Sequence, residues 1–228
     1  MRDQRGTTMV ELLVSISATL IVFMGVMTLT TAVLHHQDRI NRRVDATSRA
    51  RPVMTRIVQE LHSACVTSHI VPVRTGSTGT SITFLSKSGS GVGMAPDLHR
   101  ISLTGSPPRL TETVTPATPG SIAPNWDFSG PASSPRTLLT GVAAPGGVIF
   151  RYYDFVTGTG ALNTTPLTTP LADTSAARTS YVTVSFTSSP RAGVSTLDPG
   201  SPLLLTSGVD LRLENASQFP NQDNLPCI

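Results

Sequence analysis

From position 12 to position 37 the chain carries no formally charged residue, and positions 12–34 (LLVSISATLIVFMGVMTLTTAVL) are mainly apolar. A helix needs about 20 such residues to cross a bilayer. The core helix of a soluble protein seldom runs this far without a polar face. A cleaved secretory signal would have a shorter apolar region and a small-residue cleavage site after it. Beyond the run the pattern changes and the helical period continues. Ile40, Val44, Met54, Ile57, Val58 and Leu61 recur at three- and four-residue steps, with Arg39, Arg42, Arg43, Arg49 and Glu60 between them. One long helix is expected, membrane-spanning over 7–35 and amphipathic over 36–65. Pro52 lacks the backbone donor and crowds the preceding turn, which predicts a kink or break near Arg51. Gly25 is tolerated in a membrane span and allows close helix approach.

After about residue 66 the pattern becomes one of short β-branched and aromatic runs: 69–73, 81–86, 100–104, 109–114, 148–154, 181–187 and 203–213. Turn residues such as Thr-Gly-Ser-Thr-Gly, Ser-Pro-Pro and Pro-Gly-Gly flank them, as in a meander of antiparallel strands, and helices are not expected here. Residues 179–187 (TSYVTVSFT) alternate cleanly. Val182, Val184 and Phe186 should face a core, and Tyr181, Thr183, Ser185 and Thr187 should face outward. In the Tyr152-Tyr153 pair, alternation buries one ring and exposes the other. Stretches 115–121, 129–135 and 158–177, rich in Pro, Gly, Ser and Thr, read as loops. The fold class is α+β: a long N-terminal helix packed on an antiparallel β-sheet domain spanning 66–228.

Composition sharpens this picture. Charged residues make up only 14% of the chain, against a typical ~25%. Ser and Thr (25 and 32) supply 57 of 228 residues, which is not a cytosolic composition. The net charge of +3 is uneven: residues 1–62 hold 8 Arg against 5 acids, and residues 63–228 hold 9 basic and 9 acidic groups. A neutral body does not offer the basic face of a general nucleic-acid binder, so nucleic acid is not an expected partner.

The chain opens MRDQRGTTMVELLVS, a short charged leader ending in Gly6, with the single carboxylate of Glu11 at the edge of the apolar span. An ionisable group at such a place is expensive and invites a functional explanation. This string resembles the cleavage and methylation signal of type IV prepilins. Gly6, Thr8, Glu11, Leu12, Leu13 and Val14 match it, Met9 and Val10 are like-for-like, and Thr7 departs from the usual Phe. The resemblance implies that residues 1–6 are a leader removed by prepilin peptidase between Gly6 and Thr7. Thr7 then becomes the new, possible N-methylated terminus, and its amine pairs with the Glu11 carboxylate of a neighbouring subunit. It also implies a single-pass inner-membrane protein with an extracytoplasmic head, a surface or periplasmic filament after assembly, and an inner-membrane assembly platform as partner. The long β-rich body, 49–64 (RARPVMTRIVQELHSA) and 146–154 (GGVIFRYYD) resemble, more loosely, the W-type minor pilins and the J-type pseudopilins of type II secretion. Those prime or cap filament assembly together with other pilins or pseudopilins. The alternative within this class is a ligand-binding tip subunit for adhesion or DNA uptake, with Trp126, Tyr152, Tyr153 and Phe155 as candidate contacts.

Two further features bear on orientation. Arg2 and Arg5 precede the span, while Arg39, Arg42, Arg43, Arg49, Arg51 and Arg56 follow it. By charge count alone the body would face the cytoplasm, but the later arginines belong to an amphipathic helix with Asp38, Asp45 and Glu60 as partners. Cys65 and Cys227 are the two cysteines, and a bond between them would close a loop of 161 intervening residues, worth about 4–5 kcal/mol on a chain-entropy basis. An extracytoplasmic location favours that bond over two free thiols.

Enzyme classes find little support. No G-x-S-x-G elbow, P-loop or HExxH occurs. Of the five histidines, His35, His36, His62, His69 and His99, only the adjacent first pair shows close spacing. No catalytic residue, cofactor or metal is expected.

Overall fold

The computed structural model describes residues 8–65, 70–86, 95–122, 125–156, 159–190 and 202–211. Helix α1 (Met9–His62) contains 54 residues, about 80 Å at 1.5 Å per residue. Thr8 caps it in extended conformation, and Leu12 N–H donates to Thr8 O at 3.2 Å to close the first turn. Hydroxyls within the apolar run are satisfied locally. Ser15, Thr19, Thr28 and Thr30 donate to carbonyls four residues back at 2.7–2.8 Å. Such back-bonding removes the need for water along a span.

Of the kink or break expected near Arg51, the break does not occur, since α1 runs unbroken through Pro52. Its buried stripe of Arg42, Ala46, Ala50, Met54, Ile57 and Leu61 continues across the proline, so packing on both sides holds the helix despite one lost backbone bond. That stripe also corrects the expected amphipathic face. Ile40 and Val44 lie 50% and 60% exposed, on the outer side with Arg43, Thr47 and Arg51. The small side chains of Ala46 and Ala50 take the inner positions, where the helix comes down onto the sheet.

Strands β1 (Ser81–Ser86), β2 (Asp97–Thr104), β3 (Arg109–Pro116) and β4 (Arg136–Thr140) form one antiparallel sheet in chain order. A second sheet is centred on β7 (Tyr181–Ser188), with β8 (Leu203–Asp210) along one edge. Strands β5 (Val142–Ala143) and β6 (Phe150–Tyr153) share the other. The expected α+β layout of a long helix on antiparallel sheets is present, and β1 has the expected bounds. In β7, Val182, Val184 and Phe186 are fully buried as the alternation predicts. Ser185 is buried on the opposite face, where its hydroxyl meets that of Thr206 at 3.0 Å.

Several expectations need correction. Strands β4 and β5 fall where no strand was expected. Residues 173–177 of the expected loop 158–177 belong to a short helix, α2 (Asp173–Arg178), and β3 extends to Pro116. Of 69–73, residue 69 lies outside the described residues, and Val73 makes only an isolated bridge to Phe84. Residues 212 and 213 likewise lie outside them.

One core joins all layers: Ala50, Met54, Ile57 and Leu61 of α1, Ile82, Phe84, Ile101, Leu110 and Leu139 of the first sheet, and Phe150, Tyr152, Val182, Val184, Phe186 and Val209 of the second. The buried Tyr152 hydroxyl donates to Thr78 O at 2.9 Å or Ser81 O at 3.2 Å, which ties the two sheets together. Ile57 is fully buried in this core. Ile57→Ala should therefore lower unfolding stability by about 2–5 kcal/mol. Val44→Ala on the outer face should stay within about 0.5 kcal/mol of the parent. Urea titration of the full chain in detergent micelles checks both, and equal effects would contradict the assigned helix faces.

Candidate functional site

Two regions carry functional potential, and α1 links them. Over residues 8–37 every described position of the helix is exposed. Met9, Leu13, Ile21, Phe23, Met24 and Leu29 stand between 57% and 83% open. An 18-residue window of this helix reaches a mean hydropathy of 2.3 with none of it buried. It is long and apolar enough to cross a membrane. Exposed apolar surface on this scale exceeds what a monomeric soluble protein tolerates. Glu11 sits in the first turn, exposed on the helix surface. A carboxylate there meets the positive end of the helix dipole. Gly6 and Thr7 lie outside the described residues. A shallow groove lined by Leu12, Ser15, Ile16, Thr19, Leu20 and Phe23 runs along one side. Gly25 has open space around it.

Below the apolar run, Arg42, Arg49 and Arg56 are engaged as expected. Arg42 meets Asp38 at 3.1 Å, Arg49 meets Asp45 at 3.9 Å and Arg56 meets Glu60 at 2.6 Å, each one turn apart. Arg49 also donates to the Thr140 hydroxyl at 3.0 Å, pinning the helix to β4.

The second region was not anticipated from the sequence. Arg56 also reaches Glu112 Oε2 on β3 at 3.0 Å, and His99 Nδ1 on β2 lies 3.1 Å from Glu112 Oε1. His99 and Glu112 are almost wholly buried, and His99 stacks on Phe84 with ring centroids 5.5 Å apart. Register explains the meeting. Phe84 pairs directly with His99, Ile101 pairs with Glu112, and all face the helix side of the sheet. Among the described residues, Glu60, His99 and Glu112 are the group whose ligand-type atoms come within 4.8 Å of one another. The cation already seated on both carboxylates is the Arg56 guanidinium. His35, His36 and His62 are exposed on α1, and His69 lies outside the described residues.

Cys65 is fully buried in a small cluster with Ile70 and Leu85, against which Trp126 and Phe128 pack, and it is disulfide-bonded. Cys227, its expected partner, lies outside the described residues. The aromatic residues considered for a tip surface are divided among separate environments. Tyr152 is in the main core, Trp126 packs against the cluster of Cys65, Ile70 and Leu85, and half-buried Tyr153 leans on Tyr181 at 6.0 Å.

Comparisons with known proteins return nothing: no family model, no curated protein and no solved structure matches the chain. The protein is therefore defined by its own architecture, an α+β head on a helix able to cross a membrane.

Removing one member of a buried charge group leaves its partners uncompensated. Glu112→Ala leaves buried His99 Nδ1 without its partner and Arg56 with Glu60 alone, and should cost about 1–3 kcal/mol of unfolding stability. Chemical denaturation that shows less than a third of this would mean that the cluster is incidental to the fold.

Proposed function

We propose that this chain is a structural filament subunit of the minor pilin or pseudopilin kind, with no catalytic role. It would be processed by prepilin peptidase between Gly6 and Thr7 and would prime or cap a type IV pilus or type II secretion-like filament. The observation that carries this reading is the division of α1. Its C-terminal part, with buried residues from Arg42 to Leu61, is built into the head, while every residue from 8 to 37 is exposed. A helix of that kind needs a bilayer before assembly and sibling helices after it.

In this reading the head sits outside the cytoplasm, and α1 is withdrawn from the membrane into a bundle of like helices. Withdrawal brings two charges into an apolar core, the amine freed at Thr7 and the carboxylate of Glu11. Each alone would be costly there, and together they compensate. The pair would set the axial register of one subunit against the next. The remaining contacts would be side-chain ridges of the apolar run packing into neighbouring grooves. Other minor subunits, the peptidase and the inner-membrane assembly platform are the implied partners. A Cys65–Cys227 bond would anchor the chain's tail to the foot of α1 in an oxidising compartment.

Intact mass and N-terminal sequencing of the protein from its native membrane test this directly. The expected product begins at Thr7, with or without an added methyl, and before reduction is lighter by the two thiol hydrogens. A chain beginning at Met1 with free thiols would end the proposal. Glu11→Ala should be inserted and cleaved normally while filament numbers fall. Normal filament assembly in that variant would remove the docking role of Glu11.

A further inference from the structure

At the foot of α1 two carboxyl groups meet across the helix–sheet interface. Arg56 holds one oxygen of each, Glu60 Oε1 at 2.6 Å and Glu112 Oε2 at 3.0 Å. His99 Nδ1 stands 3.1 Å from the other Glu112 oxygen, and the other Glu60 oxygen, Oε2, is buried with no hydrogen-bond partner. The Glu112 side chain is 1% exposed and that of Glu60 16%. With both carboxyls ionised and His99 neutral, two negative charges would face one guanidinium where little water reaches. Like charges so placed cannot both persist cheaply, and a proton held between them is the smallest remedy.

The surrounding charges are few. Helix α1 contributes Arg56 and Glu60, β2 contributes His99 and β3 contributes Glu112. Strand β4 contributes Arg136, which pairs across from Glu112 and is exposed. Strand β1 brings Phe84 against His99 and has no charged residue.

We propose that Glu60 and Glu112 hold one proton between them and, with Arg56 and His99, form a proton-dependent clasp that fastens α1 to the β1–β4 sheet and loosens when the proton leaves. This stands whether or not the chain is a filament subunit, because it concerns only the joint between helix and head.

The two groups titrate in opposite directions. Burial, reinforced by the Glu112 charge, pushes the Glu60 carboxyl above its ordinary 4.5. The hydrogen bond with His99 holds Glu112 below that value, aided by Arg56. A group raised on folding gives its full stabilisation below its unfolded value, and this is lost as pH rises through the folded value. A lowered group gives its full stabilisation above the unfolded value, and this is lost as pH falls through the folded value. The clasp is therefore tightest near 4.5 and relaxes on the alkaline side as Glu60 ionises.

The test uses the full chain in detergent micelles, with Tm followed by near-ultraviolet circular dichroism across pH for the parent and for Glu60→Gln. The amide keeps a donor beside Glu112 and has no proton to lose. The Tm of the parent should fall relative to that of the variant as pH rises above 4.5. A difference that stays constant with pH would overturn the proposal, because a purely structural effect gives an offset without a slope. Difference infrared spectroscopy gives a second reading, since a protonated carboxyl band that persists in the parent above pH 4.5 should be absent in Glu60→Gln. If no such band is lost, the shared proton is not there. If the parent but not the variant gains thermal stability from equimolar zinc at neutral pH, a metal ion takes the proton's place and the proposal fails.

Discussion

The constraint on which the rest of the structure depends is that one unbroken helix joins an exposed half, apolar enough to cross a membrane, to a half that packs into the head. An apolar helix satisfies all its backbone groups internally, so it can stand in hydrocarbon without help from a partner. The same helix must then find an interior face in water, and α1 does so by narrowing its buried stripe to one residue per turn from Arg42 to Leu61. The hydroxyls that make the upper half less oily than its length suggests are folded back onto the helix's own carbonyls. Pro52, in the lower half, is tolerated because the head grips the helix on both sides of it.

That grip explains the polar cluster's position. Helix α1 joins the head through apolar contacts from Ala50 to Leu61, and these are directionless. A set of charges in which Arg56 reaches both Glu60 and Glu112 is directional, and works only at one register of helix on sheet. Buried ion pairs add little net stability, because desolvation offsets attraction, and their best-attested use is to fix register. In this chain they sit where a slip of the helix by one turn would leave Glu112 without a counter-charge.

Much of this layout was legible in the sequence, and the failures have physical reasons. The membrane-length run, the bounds of β1 and the inward face of β7 follow from one-dimensional periodicity alone. Strand β4 was missed because its sequence, RTLLT, has only two adjacent apolar residues, and what makes it a strand is pairing to β3. Ile40 and Val44 were assigned to the wrong face because hydrophobic period finds an apolar stripe without saying what covers it. The inner face instead uses Arg42 and two alanines. For His99 and Glu112 a signal was available. His99, Ile101 and Leu103 alternate along one strand, as do Leu110, Glu112 and Val114 along the next. A polar residue at a core-facing place in each of two consecutive strands points to a buried pair, and only the register between the strands brings them together.

The arginines beyond the span show how structure changes the meaning of a count. As formal charges, six of them outweigh the two before the span and argue for a cytoplasmic body. In the folded chain Arg42, Arg49 and Arg56 are engaged by Asp38, Asp45, Glu60 and Glu112, and Arg42 is nearly buried. The helix places an acid one turn from each of these three, which offsets half of the six positive charges beyond the span. Acidic residues contribute little to the positive-inside bias, and their pairing role here is architectural. They let a basic-looking helix be packed into a head whose own charges balance. Three of the six arginines that weigh in the charge count thus have work in the fold, which the count by itself does not register.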